Sequence, residues 1–302
     1  MIQISTLFRL LPFFIVLPLL AANPPLPLSV TDAAGRVITL AQPAQRLVSL
    51  APNLTELLFA VSAGDQVVGA ADYSDFPPSA RKIPRIGGYD RFDPEAVIAL
   101  RPDLVVGWNS GNPAPLLDSL EKFGLTVLRT DPRRLDDLPT VLEQLGALTG
   151  QTIAATRAAT AFRQRLAALR ERFQEASKVR MFYQVWHQPL MTVNGAHLIS
   201  DVITVCGGEN VFASLPVLAP VIDLEAVLAA NPEVIVASGM NEQRPEWLEQ
   251  WRAWPPLTAV QRDQLFFIPP DLLQRHTTRI LDGAERLCAL LEQTRQHRPS
   301  SP

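Results

Sequence analysis

Two stretches of this chain share one pattern of apolar and polar positions. Residues 92–107 read FDPEAVIALRPDLVVG, and residues 222–237 read IDLEAVLAANPEVIVA. The register is constant (Glu225 follows Glu95 by 130 residues), and Asp, Glu-Ala-Val, Ala, Pro and a terminal Val recur in place. Each copy predicts the same unit. Asp93 or Asp223 caps a short helix, and Glu95 or Glu225 puts a carboxylate in its first turn. The helix stops before Pro102 or Pro232, and a buried apolar strand follows. A unit repeated once at half-chain distance predicts two similar lobes with a cleft between them. A solenoid would need many copies at shorter spacing. Two matching acidic helix starts also form a pair of like handles, suited to a two-fold symmetric partner.

The pattern around these units alternates. TDAAGRVITL reads as a hairpin turning at Gly35, and residues 46–61 as strand, turn and helix. Asn53 and Glu56 have capping-box spacing at that helix start. Residues 66–71 and 126–130 read as strands, with a helix at 116–124. Strand-helix-strand alternation predicts a parallel sheet covered by helices. Residues 136–178 break the alternation. Residues 138–150 and 151–177 read as two helical segments with no strand between them, and in the second Phe162, Leu166, Leu169 and Phe173 fall at helical spacing. That predicts one long helix between lobes that move little relative to each other. A strand at 179–186, a helix at 198–206, the second unit, a Trp-rich amphipathic stretch at 246–254, a strand at 265–269 and a helix at 277–295 follow. The expectation is an α/β fold of two Rossmann-like lobes with mostly parallel sheets joined by a single long α-helix. The lobes span 23–147 and 179–302, and the linker spans 148–178.

The N-terminus changes where this fold should reside. Arg9 is followed by LLPFFIVLPLLAA and then Asn23-Pro24. Residues 1–22 therefore read as a cleaved signal peptide. Pro12 and Pro18 make the run a poor membrane span. No Cys follows it, so no lipid anchor is expected at the mature N-terminus. The expected location is the periplasm. Net charge is −3 and the basic residues are scattered, which argues against a nucleic-acid partner. Cys206 and Cys288 are the two cysteines. In an oxidising compartment an even pair most simply forms a disulfide, with two buried thiols as the alternative.

Catalytic motifs are missing. There is no Gly-rich phosphate loop, nucleophile elbow or His-Glu-x-x-His. His187, His197, His276 and His297 have no metal spacing with each other, so neither an enzyme nor a resident metal is expected. His276 lies in a predicted loop and reads as a rim residue of a site, with ligation of a bound metal or cofactor as the alternative. Aromatics at strand ends carry more. Tyr73, Tyr89, Trp108 and Trp186 each fall just beyond a strand or a Gly-Gly turn. Loops at the carboxyl ends of parallel strands line ligand crevices, and flat side chains there suit a large, flat ligand. The other reading is that each ring plugs local core. Trp247, Trp251 and Trp254 are at helical spacing and read as core.

Several segments together resemble a known family. They are APNLTELLFA, DYSDFP, PDLVVGWN, VCGGENVF and RHTTRILDGAERLC. They are similar to the periplasmic binding proteins for cobalamin, haem and iron-siderophores, and most similar to the cobalamin-binding members that serve vitamin-importing ABC transporters. The resemblance runs from about residue 40 to 290. It implies a class III periplasmic binding fold and a monomeric, non-enzymatic receptor without a cofactor of its own. Such a receptor holds a corrinoid and delivers it to a permease dimer in the inner membrane. By this resemblance Tyr73 and Trp108 match corrin-contacting positions, and Tyr89 stands where the family carries a Trp. Leu218 and Leu272 replace further pocket aromatics. Cys206 and Cys288 match the family's disulfide. Glu95 and Glu225 match two glutamates that dock onto permease arginines. The alternative is an iron-siderophore or haem receptor, using Arg91, Arg275 and Arg279 for an anionic ligand. A metal-dependent enzyme or chelatase on the same fold would have only His187 and His276 to offer.

Overall fold

A computed structural model describes residues 27–239 and 243–298. The segment read as a signal peptide lies outside the described residues, and no described helix is long and apolar enough to cross a membrane. A hairpin of β1 (Leu28–Thr31) and β2 (Val37–Leu40) opens the fold, with Gly35 at φ 76° in its turn. The first lobe continues through β3 (Leu47–Ser49), α1 (Pro52–Ala60) and β4 (Val67–Ala70). A small antiparallel pair, β5 (Gly87–Gly88) and β6 (Arg91–Phe92), precedes α2 (Pro94–Ala99) and β7 (Leu104–Trp108). Then come α3 (Ala114–Lys122), β8 (Val127–Thr130) and α4 (Asp137–Thr149). After α5 (Thr152–Phe173), the second lobe runs through β9 (Val179–Gln184), α6 (Leu198–Val205), β10 (Gly208–Asn210) and α7 (Leu224–Ala230). It ends with β11 (Val234–Ala237), α8 (Thr258–Gln261), β12 (Leu265–Phe267), α9 (Pro270–Leu273) and α10 (Ile280–Gln296).

Each lobe is built on one four-stranded, all-parallel sheet. The orders are β4-β3-β7-β8 and β10-β9-β11-β12, the same order in both when strands are counted along the chain. The repeated units occupy equivalent places: α2 leads into β7, and α7 leads into β11. Helices cover both faces of such sheets, so their strands read as continuous apolar runs. Leu104, Val105, Val106 and Val234, Ile235, Val236 are all fully buried. The expectation of an α/β fold with parallel sheets and helices holds.

One buried cluster joins the two halves. It runs from Leu47 in β3 through Leu142 in α4 and Phe162 in α5 to Met181 in β9 and Leu287 in α10. Each sheet's other face has its own cluster. Gly150 at φ 76° ends α4 in a left-handed turn that glycine adopts without strain, and the long α5 follows it. The 22-residue α5 buries the stripe Ala155, Ala159, Phe162, Leu166, Leu169 and Phe173. It packs first on α4 and then on α6 and α10. Cys206, at the end of α6, is bonded to Cys288 in α10 with Cα atoms 4.6 Å apart.

Two local expectations are corrected. Asn53 and Glu56 form no capping box: α1 starts at Pro52, with Ala51 as its N-cap and no side-chain cap. Proline fits the first helical position because its missing N–H would be unpaired there anyway. Asn53 and Glu56 are therefore inside the helix and buried. Of the three tryptophans at 246–254, only Trp251 is core. It meets Phe182 edge-on at 5.7 Å and donates Nε1–H to Gln184 Oε1 at 2.8 Å. Trp247 is half-buried and stacks on His187 at 5.6 Å, and Trp254 remains 37% exposed. The segment is a 3-10 helix over Glu246–Ala253, and Trp254 is its C-cap, outside the regular turns.

Candidate ligand cleft

In both sheets the strand order reverses beside the first strand, between β3 and β7 and between β9 and β11. Crevices open at the carboxyl ends of strands at such points. A cavity of about 450 Å³ sits at these strand ends and is lined from both lobes. Pro52 and Asn53 follow β3, Trp108 ends β7, Val185 follows β9 and Gly239 follows β11. The segment after β12 adds Gln274, Arg275 and His276. The volume lies within the range of small-molecule sites.

Aromatic rings cross the cavity from lobe to lobe. Tyr89 and Trp108 are tilted with centroids 6.3 Å apart. Trp108 meets His276 edge-on at 5.5 Å, and His276 meets His197 edge-on at 5.2 Å. Tyr73 and Tyr89 line the same cavity but stay 74% and 44% exposed, so they stand at its mouth. Tyr73 holds a positive φ of 62°, a conformation that costs a non-glycine residue roughly 1–2 kcal/mol and is common at binding sites. Four of the five residues expected to contact ligand thus come together: Tyr73, Tyr89, Trp108 and His276.

Trp186 does not join them. After β9 the chain doubles back through a bridge from Trp186 to Met191, and the indole N–H donates to the Gln188 carbonyl at 2.9 Å. Val185 takes the lining position instead. Leu218 and Leu272 also stand outside the lining; Ala219 contributes in that region, and Leu272 packs against the central core. Sequence reasoning missed Asn53, His197 and Gln274 as lining residues. Asn53 carried one usable signal, its place directly after a strand. Nothing local marks the other two.

The cavity wall is mainly apolar, and its two charged members, Asp271 and Arg275, pair with each other at 3.0 Å. Burial pushes the His276 imidazole down to about 4, with Arg133 adding to the shift. Burial likewise pushes His197 down to about 3, followed by repulsion from His276 and Arg133. Both are neutral at pH 7. His197 Nδ1 accepts the Ile199 backbone N–H at 3.1 Å and so caps α6. Asn53 Nδ2, Trp108 Nε1, Gln274 Nε2 and His276 Nδ1 are buried without a hydrogen-bond partner among the described residues. Such orphans are uncommon in folded proteins, and each one costs stability until something satisfies it.

The arginines near the cavity are already engaged. Arg279 holds Glu56 through two bonds, at 2.6 and 2.7 Å, and lies over the Phe76 ring at 3.9 Å. Thr277 donates its hydroxyl to the same carboxylate at 2.6 Å. Arg275 pairs with Asp75 at 2.6 Å and Asp271 at 3.0 Å. Glu56 and Asp75 belong to the first lobe and their partners to the second, so these pairs clasp the lobes beside the cavity. Among the described residues, no group of three or more His, Cys, Asp or Glu is placed to hold a metal ion.

Both repeated helix starts are capped by an aspartate side chain, on different backbone N–H groups. Asp93 accepts the Glu95 N–H at 2.9 Å, and Asp223 accepts the Ala226 N–H at 2.7 Å. Glu95 and Glu225 are both exposed, and neither forms an ion pair among the described residues. A helix that leads into a parallel strand runs opposite to it, so its N-terminus lies at the sheet's carboxyl edge. That is the edge bearing the cleft.

Comparison with known proteins gives one consistent picture. Residues 47–272 match the family described as "Periplasmic binding protein". The vitamin B12-binding protein of Vibrio cholerae serotype O1 is 36% identical over 251 residues, 83% of this chain and 90% of that protein. The crystal structure of a periplasmic vitamin B12 binding protein of Vibrio cholerae aligns with a TM-score of 0.78 at 35% identity, covering 84% of this chain and 99% of that one. The periplasmic heme-binding protein RhuT of Roseiflexus sp. RS-1 shares the fold, with a TM-score of 0.72 at 20% identity over 83% of this chain and 99% of that chain.

Proposed function

The chain belongs to the periplasmic binding protein family, and from that membership we propose that it captures cobalamin or a closely related corrinoid and delivers it to the permease of an ABC importer. In this reading the N-terminal segment directs the chain to the periplasm, and the folded protein works there as a binding protein, not an enzyme. The observation that carries the corrinoid assignment is the cavity wall. Trp108 lines the cavity in edge contact with His276, and the exposed Tyr73 and Tyr89 line it too. The unpartnered donors of Asn53, Trp108 and Gln274 are neutral. A corrin is flat, greasy and edged with neutral amides, whose carbonyl oxygens match such donors. Its side chains and nucleotide loop would extend past a cavity of this size into solvent. Haem propionates or an anionic ferric siderophore would need a free cation. Arg275 and Arg279 are committed to Asp75, Asp271 and Glu56, and Arg91, exposed without an ion pair among the described residues, is not in the cavity lining, which weighs against the siderophore or haem alternative.

Delivery rests on Glu95 and Glu225. Two like carboxylates at equivalent places suit a homodimeric permease that presents two matching arginine patches. Titration of tryptophan fluorescence tests the ligand assignment. Cyanocobalamin should quench it saturably at one ligand per chain, and a ferric hydroxamate should not. Saturable quenching by the siderophore alone would refute the assignment.

A further inference from the structure

His276 is built differently from the other residues of the cavity. It is 5% exposed, yet it lines the cavity. Edge contacts with Trp108 at 5.5 Å and His197 at 5.2 Å fix its ring plane. Its Nδ1 is sealed from solvent without a partner, and its Nε2, which is not sealed, has no protein partner among the described residues either. A histidine tautomer is normally set by the bond the other nitrogen makes. No such bond fixes it here, so an incoming group can.

The geometry points to His276 as an axial ligand of the cobalt ion in bound corrinoids that carry an exchangeable water on one face. This rests on the corrinoid reading above. Ligation is a substitution: the Nε2 lone pair enters the cobalt coordination shell, one water leaves, the ring proton stays on Nδ1 and no electron is transferred. His197 cannot take this role. Its Nδ1 already accepts the Ile199 N–H, so its single proton sits on Nε2 and no lone pair faces outward. The depressed basicity of His276, about 4, keeps the imidazole unprotonated and available at neutral pH. Metal-bound histidines usually gain strength from a hydrogen bond at the second nitrogen. His276 has none, so its bond to cobalt should be labile, as a cargo that must be handed on requires.

Electron paramagnetic resonance of bound cob(II)inamide tests this. That corrinoid has no nucleotide base, so any axial nitrogen comes from the protein. Bound to the wild-type chain, each cobalt line should split into a triplet from one 14N nucleus. Labelling the protein with 15N-histidine should convert the triplets to doublets. His276→Ala should bind cob(II)inamide more weakly than the wild type and, with protein in saturating excess, show unsplit lines. Unsplit lines in the wild type would overturn the inference, as would triplets that persist in His276→Ala. A wild-type protein fraction free of cobalt would instead refute the corrinoid reading itself, and the ligation with it.

Discussion

Trp108 lines the cavity, its ring centroid 6.3 Å from that of Tyr89 and 5.5 Å from that of His276. Truncating a stacked aromatic at a binding centre costs more than about 1.4 kcal/mol, or tenfold in affinity. Trp108→Ala should therefore weaken cyanocobalamin binding at least about tenfold in a calorimetric titration. Unchanged affinity in a folded variant would make Trp108 a packing residue only. The buried histidines predict a pH dependence. Both bind protons less readily when folded, at about 4 and about 3, than an ordinary histidine near 6.5. Between those values the unfolded chain holds more protons, so stability falls as pH is lowered from 6.5 towards 4. The melting temperature should drop across that window, and less steeply in His276→Gln. An identical slope in the variant would mean that the imidazole does not titrate in this way. Residue positions were legible where a strand end announced them, as for Tyr73 and Trp108. His197 meets His276 only in space, across 79 residues of sequence, so no local pattern could reveal it. Trp186 follows a strand too, but its loop folds back, a tertiary event that spacing does not encode.

At the scale of elements, the repeat was the most legible feature, because one capped helix and one apolar strand are both local patterns. It predicted that β7 and β11 would be equivalent, and they are both third in their sheets along the chain. The start of α1 was misread because Pro52 supplied a helix start that needed no side-chain cap, freeing Glu56 for another role. Its partner Arg279 is 223 residues away. Breaking a buried ion pair on one side costs about 3–5 kcal/mol, since the remaining charge stays desolvated. Glu56 is 3% exposed, so Arg279→Ala should lower unfolding free energy by about 3 kcal/mol in urea denaturation. A change below about 1 kcal/mol would show that solvent reaches the carboxylate. The disulfide acts within one lobe. Its separation of 82 residues corresponds to a chain-entropy gain of roughly 4–5 kcal/mol before native strain is subtracted. Replacing both Cys206 and Cys288 by Ser should reduce stability and leave corrinoid affinity nearly unchanged, because α6 and α10 lie on one side of the cleft. A parallel loss of affinity at a temperature where the variant is folded would contradict that separation.

For the whole molecule, one core continuous from β3 to α10 and the ion pairs beside the cavity argue for lobes that shift little on binding. A receptor of this kind presents a nearly fixed surface, with Glu95 and Glu225 at the cleft edge. The double substitution Glu95→Arg with Glu225→Arg should preserve corrinoid affinity and abolish association with the cognate permease, since like charges would meet at both contacts. Normal uptake by the double variant would reduce both glutamates to helix-dipole partners, contributing about 0.3–1 kcal/mol each. Which ligand the cleft selects is the most direct test of a corrinoid receptor. The purified protein should be mixed with equimolar cyanocobalamin, haemin and a ferric siderophore together, passed through gel filtration, and its absorption spectrum recorded. The corrin bands should appear in the protein fraction at one ligand per chain; a protein fraction carrying the haem Soret band or the siderophore charge-transfer band in their place would rule out a corrinoid receptor.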